Sequence, residues 1–285
     1  MGKKAIDALI EYFPIRENLL KKYYGYRSFK PIQQKAIESV LNGQDTFVVM
    51  PTGGGKSLCY QIPALMLEGM TLVVSPLISL MKDQVDQLLR LGIPAACMNS
   101  MLDEMQYQNL RAQILRNEIK ILYVAPERLR SGEFVSLLRR QKISLVAVDE
   151  AHCVSQWGHD FRPSYHGISQ FIRSLPVRPV VAAFTATATE ETRKDIITRL
   201  ELVRPNIYRA SFNRANLILS VQRDRNRKEA LLTFVQNHHD QAGIIYCNTR
   251  KEVDKIWDML RRAGIQAVRY HGGMEDWERN ENQDC

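Results

Sequence analysis

The chain has 285 residues, 45% hydrophobic and 25% charged, which is typical of a folded globular protein with one large or two modest domains. No window approaches the roughly 18–20 consecutive apolar residues of a membrane span, and the first residues lack the apolar core of a signal peptide. We therefore expect neither a membrane-spanning nor a secreted protein, but an intracellular one.

The charge balance favours a polyanionic partner. Lysine and arginine number 39 against 31 aspartate and glutamate, a formal net charge of +8. Nucleic acid is the first such partner to consider, although many basic proteins bind none. The cysteines are scattered without a C-x-x-C pair, so we interpret them as reduced thiols rather than a disulfide frame or zinc site. They are Cys59, Cys97, Cys153, Cys247 and Cys285.

Short β-branched apolar runs alternate with amphipathic helical stretches in the first two thirds of the chain. Nearly continuous hydrophobicity is typical of strands buried on both faces, and the alternation predicts an α/β domain with a doubly wound parallel sheet. The predicted strands are Thr46–Met50, Thr71–Ser75, Lys120–Ala125, Ile143–Asp149 and Pro179–Thr185.

A second series of elements follows a basic, turn-rich stretch. Its predicted strands are Leu217–Gln222, Gly243–Cys247 and Gln266–His271, with a helix over Arg250–Ala263. We expect a first domain over 1–205, a linker over 206–216 and a second α/β domain over 217–285. Three strands are fewer than the usual five or six of an open sheet, so we expect this second domain to be partial.

A glycine-rich loop directly follows the first predicted strand and opens a helix. Three glycines permit a tight turn that aims backbone N–H groups at an anion, and the helix N-terminus adds positive charge. Lys56 would reach the β- and γ-phosphates of a nucleotide, and the Ser57 hydroxyl would join the shell of Mg²⁺. A full P-loop pattern has glycine where this chain has Met50, and a glycine-rich surface turn is the alternative. The loop is Pro51, Thr52, Gly53, Gly54, Gly55, Lys56 and Ser57.

An acidic pair ends the strand that begins at Ile143. Adjacent buried carboxylates are costly unless they hold a cation or move protons. In a phosphoryl-transfer site Asp149 would bind Mg²⁺ through its water shell, and Glu150 would orient and deprotonate the attacking water. His152 would then sense the γ-phosphate. The alternative is a solvated first turn of a helix, where acidic residues are common.

Seven blocks, which follow one another along the chain, resemble the RecQ family of superfamily-two helicases, and this similarity extends over nearly the whole chain. They are Tyr24–Gln33, Thr52–Ser57, Ser75–Gln84, Ala125–Leu129, Asp149–His152, Thr185–Thr189 and Ile245–Arg250. An eighth segment, the loop Cys153–Pro163 directly after Asp149–His152, is the most family-specific of all. The resemblance implies a RecA-like P-loop domain with a parallel sheet, followed by a partial second RecA-like α/β domain. It also implies ATP and Mg²⁺ as cofactors and 3′ to 5′ movement on DNA in recombination and repair. The corresponding location is the bacterial cytoplasm or nucleoid.

The Cys153–Pro163 loop resembles the segment that couples single-stranded DNA to the ATPase site in this family. Trp157 and Phe161 offer faces for base stacking, and Arg162 offers charge for phosphate, with His159 between them. Core packing is the alternative for the two aromatic residues. A metal held by Cys153, His159 and Asp160 would fit no zinc spacing.

The resemblance assigns further contacts by position. Gln33 would read the adenine edge and Tyr26 would stack on it, whereas Lys30 replaces the more usual arginine and weakens adenine selectivity. Alternatively, Tyr26 and Phe29 attach the first helix to the domain. Two segments are similar to the family's DNA-backbone contacts. They are Ser75–Asp83, with Ser75 and Pro76 as the candidate contacts, and Ala125–Leu129.

Two later segments have both functional and local interpretations. Thr185–Thr189 would couple the nucleotide site to domain movement, and Thr189 is equally a helix N-cap. Asn248, Thr249 and Arg250, together with His271–Met274, would contact a nucleic-acid backbone. A helix cap and a turn are the alternative for them.

The resemblance leaves one catalytic element without a counterpart. A family arginine that reaches across the domain cleft is not found after Met274, and its loss costs on the order of 10³–10⁵ in turnover. We expect a fragment that binds ATP and single-stranded or partly duplex DNA but hydrolyses ATP poorly. The alternatives are a binding module without turnover, an RNA helicase and another P-loop enzyme such as a nucleotide kinase.

Overall fold

A computed structural model describes residues 14–98, 102–158, 161–211, 217–223 and 226–284. The chain divides into two compact units, Met1–Arg214 and Ala215–Cys285. No helix among the described residues is both long enough and apolar enough to span a bilayer.

The first unit is built on a seven-stranded sheet whose neighbouring strands all run parallel. The strand order is β3-β4-β2-β5-β6-β1-β7. The strands are β1 (Thr46–Val49), β2 (Met70–Val74), β3 (Ala95–Met98), β4 (Ile121–Val124), β5 (Ile143–Val148), β6 (Val180–Thr185) and β7 (Asn206–Arg209). The predicted α/β class with a parallel sheet is confirmed. The five predicted strands correspond to β1, β2, β4, β5 and β6, with boundaries that differ by no more than one residue.

The strands β3 and β7 were not predicted from the sequence. Both lie at edges of the sheet, and β7 is largely exposed, so neither carries the continuous apolar run of a central strand. β7 pairs with β1 from Thr46 opposite Asn206 to Val49 opposite Arg209. The linker predicted over 206–216 was therefore wrong for residues 206–209, which belong to the sheet.

Helices cover both faces of this sheet. Several begin at side-chain caps, and the predicted cap at Thr189 is confirmed, since its side chain accepts the N–H of Thr192. The helices of the first unit are α1 (Pro31–Leu41), α2 (Leu58–Met66), α3 (Ile78–Arg90), α4 (Glu104–Leu115), α5 (Gly132–Leu138), α6 (Gly167–Ser174) and α7 (Glu190–Arg199). A π-helical turn (Leu20–Tyr24) precedes them, and short 3₁₀ turns lie at Pro126–Arg130, Ala151–Val154 and Pro163–His166.

The core lies in two layers, one on each face of the sheet. Along β5, Val146 and Val148 pack in one layer, whereas Leu145 and Ala147 pack in the other. Alternate side chains of a strand point to opposite faces, so a strand covered on both sides must be apolar throughout. This packing explains why the central strands were visible in the sequence.

Asp45 ties three segments together at the amino-terminal edge of the sheet. Its buried carboxylate accepts the N–H of Val181 at 2.9 Å and of Val203 at 2.7 Å, and it pairs with Arg178. Removing a buried acceptor costs about 1–3 kcal/mol for each donor left unpaired.

We expect Asp45→Ala to lower the free energy of unfolding by roughly 3 kcal/mol or more, because two backbone donors lose their acceptor. Urea denaturation followed by circular dichroism measures this change. Asp83→Ala, at an exposed position on α3, is the matched control. Equal denaturation midpoints for the two variants would contradict this role of Asp45.

The second unit contains helices α8 (Arg227–Asn237), α9 (Arg250–Arg262) and α10 (Asp276–Asp284). The helix predicted over Arg250–Ala263 is confirmed as α9. The three predicted strands of this unit were wrong for the structure as described, because residues 217–223 and 226–284 contain no paired strand. An apolar run becomes a strand only where a neighbour takes up its backbone hydrogen bonds. Ile218, Leu219 and Tyr246 are instead 95%, 94% and 91% exposed.

Candidate nucleotide and nucleic-acid site

The parallel sheet brings the sequence motifs to one edge. Strands β1, β2, β4, β5 and β6 all run in the same direction, so their carboxyl ends lie together. The segments that follow them are the glycine loop, Ser75–Pro76, Ala125–Leu129, Asp149–His152 and Thr185–Thr189. Ligands of open α/β sheets bind in the crevice at this edge.

The glycine loop has a backbone that other residues would not adopt. Gly53 and Gly55 have φ angles of 75° and 83°, in the left-handed region. A Cβ on Gly54 would lie 2.4 Å from Met50 Cγ and 2.8 Å from the Pro51 carbonyl oxygen. The sequence therefore needs glycine here for conformation and space. A simple surface turn would not need three consecutive glycines, two for their backbone angles and one for space.

Lys56 and Ser57 lie where the loop meets helix α2. The Lys56 ammonium donates to the Met50 carbonyl at 3.3 Å, so the side chain folds back over the loop. Ser57 directly precedes α2, whose N-terminus faces the loop. These positions suit a lysine that contacts phosphate and a hydroxyl that joins a cation shell.

Gln33 and Lys30 hold the outer side of the glycine loop. The Gln33 amide donates to the carbonyls of Gly54 and Gly55 at 3.1 and 3.2 Å, and its oxygen accepts the Lys30 N–H at 2.8 Å. The Lys30 ammonium donates to Gly54 at 3.3 Å. Both side chains therefore contact the phosphate loop, whereas adenine recognition by Gln33 stays a prediction.

The two aromatic residues before α1 separate in the structure. Tyr26 is 59% exposed, so its ring is accessible, and its stacking on adenine stays a prediction. Phe29 is buried in a cluster with Leu20, Ile37 and Ile62. The packing interpretation is thus confirmed for Phe29 and not for Tyr26.

Asp149 of the acidic pair is buried, whereas Glu150 is partly exposed and is the N-cap residue of the 3₁₀ turn Ala151–Val154, so the pair is not a fully solvated first turn. Asp149 is 9% exposed, and one of its carboxylate oxygens accepts the N–H of Glu150 at 3.0 Å. Burial, reinforced by the negative charge of Glu150, raises the pKa of Asp149 to about 6. Lys56 opposes part of this increase.

Glu150 and His152 form a compact group with Thr185. Glu150 has a left-handed backbone, with φ 45° and ψ 47°, a strained conformation for a residue with a side chain. His152 Nδ1 lies 3.2 Å from Glu150 Oε2 and 3.0 Å from Thr185 Oγ1. These contacts connect the ends of β5 and β6 beside the acidic pair.

The donor set at this edge fits Mg²⁺. Carboxylate and hydroxyl oxygens, from Asp149 and Ser57, are the hard ligands that Mg²⁺ prefers. The raised pKa of Asp149 reflects a buried carboxyl whose negative charge is incompletely compensated, and a cation would supply that compensation. Across the described residues, three or more His, Cys, Asp or Glu side chains nowhere gather into a metal cluster. Such a site suits an ion held jointly by one carboxylate and substrate phosphates.

The loop Cys153–Pro163, which follows Asp149–His152, exposes its tryptophan. Trp157 is 72% exposed, so the core-packing alternative was wrong for this residue, whereas Phe161 is half-buried. Gly158 allows the tight turn, because a Cβ there would lie 2.2 Å from the His152 carbonyl oxygen. His159 and Asp160 lie outside the described residues, and so does any metal site that includes them.

Arg162 and Ser75 engage the protein itself. The Arg162 guanidinium donates to the Pro76 carbonyl at 3.0 Å, which joins the end of the aromatic loop to the segment after β2. Ser75 is only 2% exposed, and its hydroxyl has no hydrogen-bond partner among the residues that the structure describes. Direct DNA contacts by these side chains and by Pro76 stay predictions.

Two residues that contact the segments at this edge were not predicted from the sequence, because neither belongs to a recognised motif. The Tyr165 hydroxyl donates to the Asp149 carbonyl at 3.2 Å, and Asp195 on α7 accepts from Ser155 at 2.7 Å. The partners in these two contacts are 16 and 40 residues apart in the sequence. A single sequence offers no spacing signal for such pairs.

In the second unit, the cap-and-turn interpretation is confirmed locally. Thr249 Oγ1 accepts the N–H of Glu252 at 3.2 Å, and the Glu252 carboxylate accepts the N–H of Asn248 at 3.3 Å. His271 forms a turn in which its carbonyl accepts the N–H of Met274 at 3.2 Å. Contacts of Asn248 and Arg250 with DNA stay predictions.

Comparisons with known proteins agree with this arrangement. The family model described as "DEAD/DEAH box helicase" matches residues 30–196, and "Helicase conserved C-terminal domain" matches residues 226–285. The chain is 47% identical over 269 residues to "ATP-dependent DNA helicase RecQ" of Bacillus subtilis, covering 94% of this chain and 46% of the relative. It is 44% identical over 285 residues to the same enzyme of Pasteurella multocida, covering 99% and 45%. The chain thus spans about half the length of these relatives.

Solved structures share the fold. The DUF1998 helicase MrfA bound to DNA has a TM-score of 0.71 at 19% identity, covering 94% of this chain and 42% of that one. Dbp5 of S. cerevisiae, bound to RNA and ADP BeF3, has a TM-score of 0.61 at 16% identity, covering 94% and 70%. At such identities the likeness concerns the fold alone.

The family model covers more than half of the chain, and the motifs it describes lie at one edge of the sheet, so the chain belongs to the DEAD/DEAH box helicases. Within that class, the similarity to RecQ enzymes over nearly the entire chain makes it a member of the RecQ family.

Proposed function

We propose that the chain binds ATP with Mg²⁺ at the glycine loop and couples this binding to single-stranded DNA at the loop Cys153–Pro163, called the Trp157 loop below. Its relatives are named as ATP-dependent DNA helicases, and we propose the same activity for this chain. The 3′ to 5′ movement and the role in recombination and repair that the family resemblance implies are part of this proposal. The observation that carries the proposal is the gathering of Lys56, Asp149, Glu150 and His152 at one edge of the sheet, beside an exposed tryptophan.

The nucleotide chemistry follows from the groups at this edge. The loop N–H groups and Lys56 bind the phosphates, and Asp149 and Ser57 would hold Mg²⁺, which would supply positive charge against the phosphate charge that develops. Glu150 accepts a proton from the attacking water and holds that water in line. His152, between Glu150 and Thr185, transmits the state of this group to the end of β6.

The DNA chemistry rests on the Trp157 loop. An exposed indole stacks on a base of any sequence, and the net charge of +8 favours approach to a phosphate backbone. The similarity to enzymes named as DNA helicases favours DNA over RNA as the partner. The proposal includes neither a membrane nor a protein partner.

A binding module without turnover is the second candidate. The apolar segments 217–223 and 243–247 of the second unit are largely exposed and unpaired among the described residues. Because the described residues of this unit form no paired strand, we propose that the chain hydrolyses ATP more slowly than the RecQ enzyme of Bacillus subtilis, of which it spans 46%. Equal steady-state rates with single-stranded DNA would contradict this proposal.

We expect Trp157→Ala to weaken binding of a fluorescein-labelled oligo(dT) about ten-fold, because loss of one stacking partner removes roughly 1–3 kcal/mol. Fluorescence anisotropy measures the affinity. Trp277→Ala is the matched control, since Trp277 is also exposed, at 68%, but lies in the second unit. Equal affinities for Trp157→Ala and wild type would contradict the assignment of the loop, and stronger binding of oligo(rU) would favour an RNA helicase.

A further inference from the structure

Helix α7 holds the start of the Trp157 loop. Ser155 is fully buried, and its hydroxyl donates to Asp195 Oδ2 at 2.7 Å. The same hydroxyl oxygen accepts the N–H of Trp157 at 3.2 Å. The backbone N–H of Gln156 also donates to the Asp195 carboxylate. One carboxylate on α7 therefore fixes three consecutive residues of the loop, directly or through Ser155.

The other end of α7 lies beside the nucleotide group. The helix begins at the Thr189 cap, directly after the segment that starts at Thr185, and Thr185 contacts His152 at 3.0 Å. Asp195 follows Thr189 by six residues, about 9 Å along a helix axis. A short rigid helix thus joins a residue next to the acidic pair with the base of the loop.

Asp195 is an ionised carboxylate that accepts several hydrogen bonds. Burial raises the pKa of its carboxyl, but hydrogen bonds from Ser155 and Arg199 outweigh this effect and lower the pKa overall. The carboxylate is therefore ionised near neutral pH, and hydrogen bonds to an ionised acceptor are the strong ones. Its side chain is 19% exposed and Ser155 is fully buried, so neither presents a surface for DNA.

We propose that Ser155 and Asp195 are positioning residues that fix the Trp157 loop to α7, so that the loop is presented to single-stranded DNA in register with the nucleotide edge. This inference rests on the proposed function. His152 and Trp157 are already linked by the few residues of chain between them. The contacts of α7 provide a second link between the nucleotide edge and the loop.

The test compares Ser155→Ala and Asp195→Ala with Asp195→Asn and Arg199→Ala. Asparagine keeps the shape and one acceptor but loses the charge, so its effect should be intermediate. Arg199→Ala removes a partner of Asp195 that lies outside the loop, because Asp195 Oδ1 accepts from Arg199 Nε at 2.7 Å, and it leaves the contacts with Ser155 and Gln156 intact. Thermal melts identify any variant that fails to fold, and the isosteric Asp195→Asn then carries the comparison.

Three readouts are measured on the 285-residue chain: oligo(dT) affinity, affinity for a fluorescent ATP analogue with Mg²⁺, and the rate of chymotryptic cleavage after Trp157. We expect the two alanine variants to bind oligo(dT) about ten-fold more weakly and to be cleaved faster, because hydrogen bonds to a charged group are lost. Nucleotide affinity should stay within two-fold of wild type, and Arg199→Ala should resemble wild type in all three.

The outcomes separate the two proposals. Wild type that binds neither oligo(dT) nor the ATP analogue would overturn the proposed function. Wild type that binds both, with unchanged oligo(dT) affinity in the alanine variants, would overturn only the positioning role. The same holds if cleavage accelerates without a loss of affinity, or if Arg199→Ala weakens oligo(dT) binding as strongly as Asp195→Ala.

Discussion

Glu150→Gln is expected to leave ATP bound and unhydrolysed. The glutamine keeps the size and polarity of the side chain but cannot accept a proton from water, and general-base catalysis contributes about 10²–10⁴-fold. Since hydrolysis by the wild-type chain is proposed to be slow, single-turnover measurements with protein in excess over radiolabelled ATP are the suitable assay. We expect the rate to fall at least a hundred-fold, while affinity for the ATP analogue stays within two-fold.

The structure gives a reason for this large effect. Glu150 has a left-handed backbone and lies beside His152 and the buried Asp149, a strained arrangement that the fold maintains at some energetic cost. Glu104→Gln is the matched control, because Glu104 is an exposed carboxylate in the first turn of α4. A Glu150→Gln variant that hydrolyses ATP at the wild-type rate would remove Glu150 from the chemistry.

Lys56→Ala is expected to weaken nucleotide binding strongly without unfolding the first unit. The ammonium makes one hydrogen bond within the protein among those described, to the Met50 carbonyl, so its loss costs the fold little. Loss of a charge-assisted contact to phosphate is costly, and we expect the affinity for an ATP analogue with Mg²⁺ to fall on the order of a hundred-fold. Hydrolysis should fall with it.

Lys82→Ala supplies the comparison for this variant. Lys82 is an exposed lysine on α3, so its removal changes the net charge equally without touching the loop. Fluorescence titration gives both affinities, and circular dichroism verifies folding. If Lys56→Ala bound nucleotide as tightly as Lys82→Ala, the phosphate assignment of the glycine loop would be wrong.

The sequence predicted those parts of the fold that are governed by continuous burial. β1, β2, β4, β5 and β6 are covered on both faces, so apolar runs marked them to within one residue. β3 and β7 lie at the edges, where pairing with β4 and β1 creates the strand and half-exposed side chains carry no clear period. The predicted strands of the second unit failed for the complementary reason, since apolar runs without a paired neighbour remain irregular.

The candidate site was predictable where short motifs specify backbone and charge. The glycine loop and the Asp149–Glu150 pair lie as expected, because the end of a parallel strand determines their place. Contacts that depend on tertiary packing were not predictable. Gln33 contacts the loop carbonyls, Arg162 contacts the Pro76 carbonyl, and Asp195 lies against Ser155.

The central claim is that nucleotide at Lys56 and single-stranded DNA at Trp157 communicate through one edge of the sheet. The most direct measurement is the affinity for fluorescein-labelled oligo(dT), with and without a saturating, non-hydrolysable ATP analogue and Mg²⁺. Coupled sites typically alter each other's affinity about 5- to 150-fold, so we predict a change of at least five-fold in wild type and none in Lys56→Ala. Identical wild-type affinities in the two conditions would contradict the account.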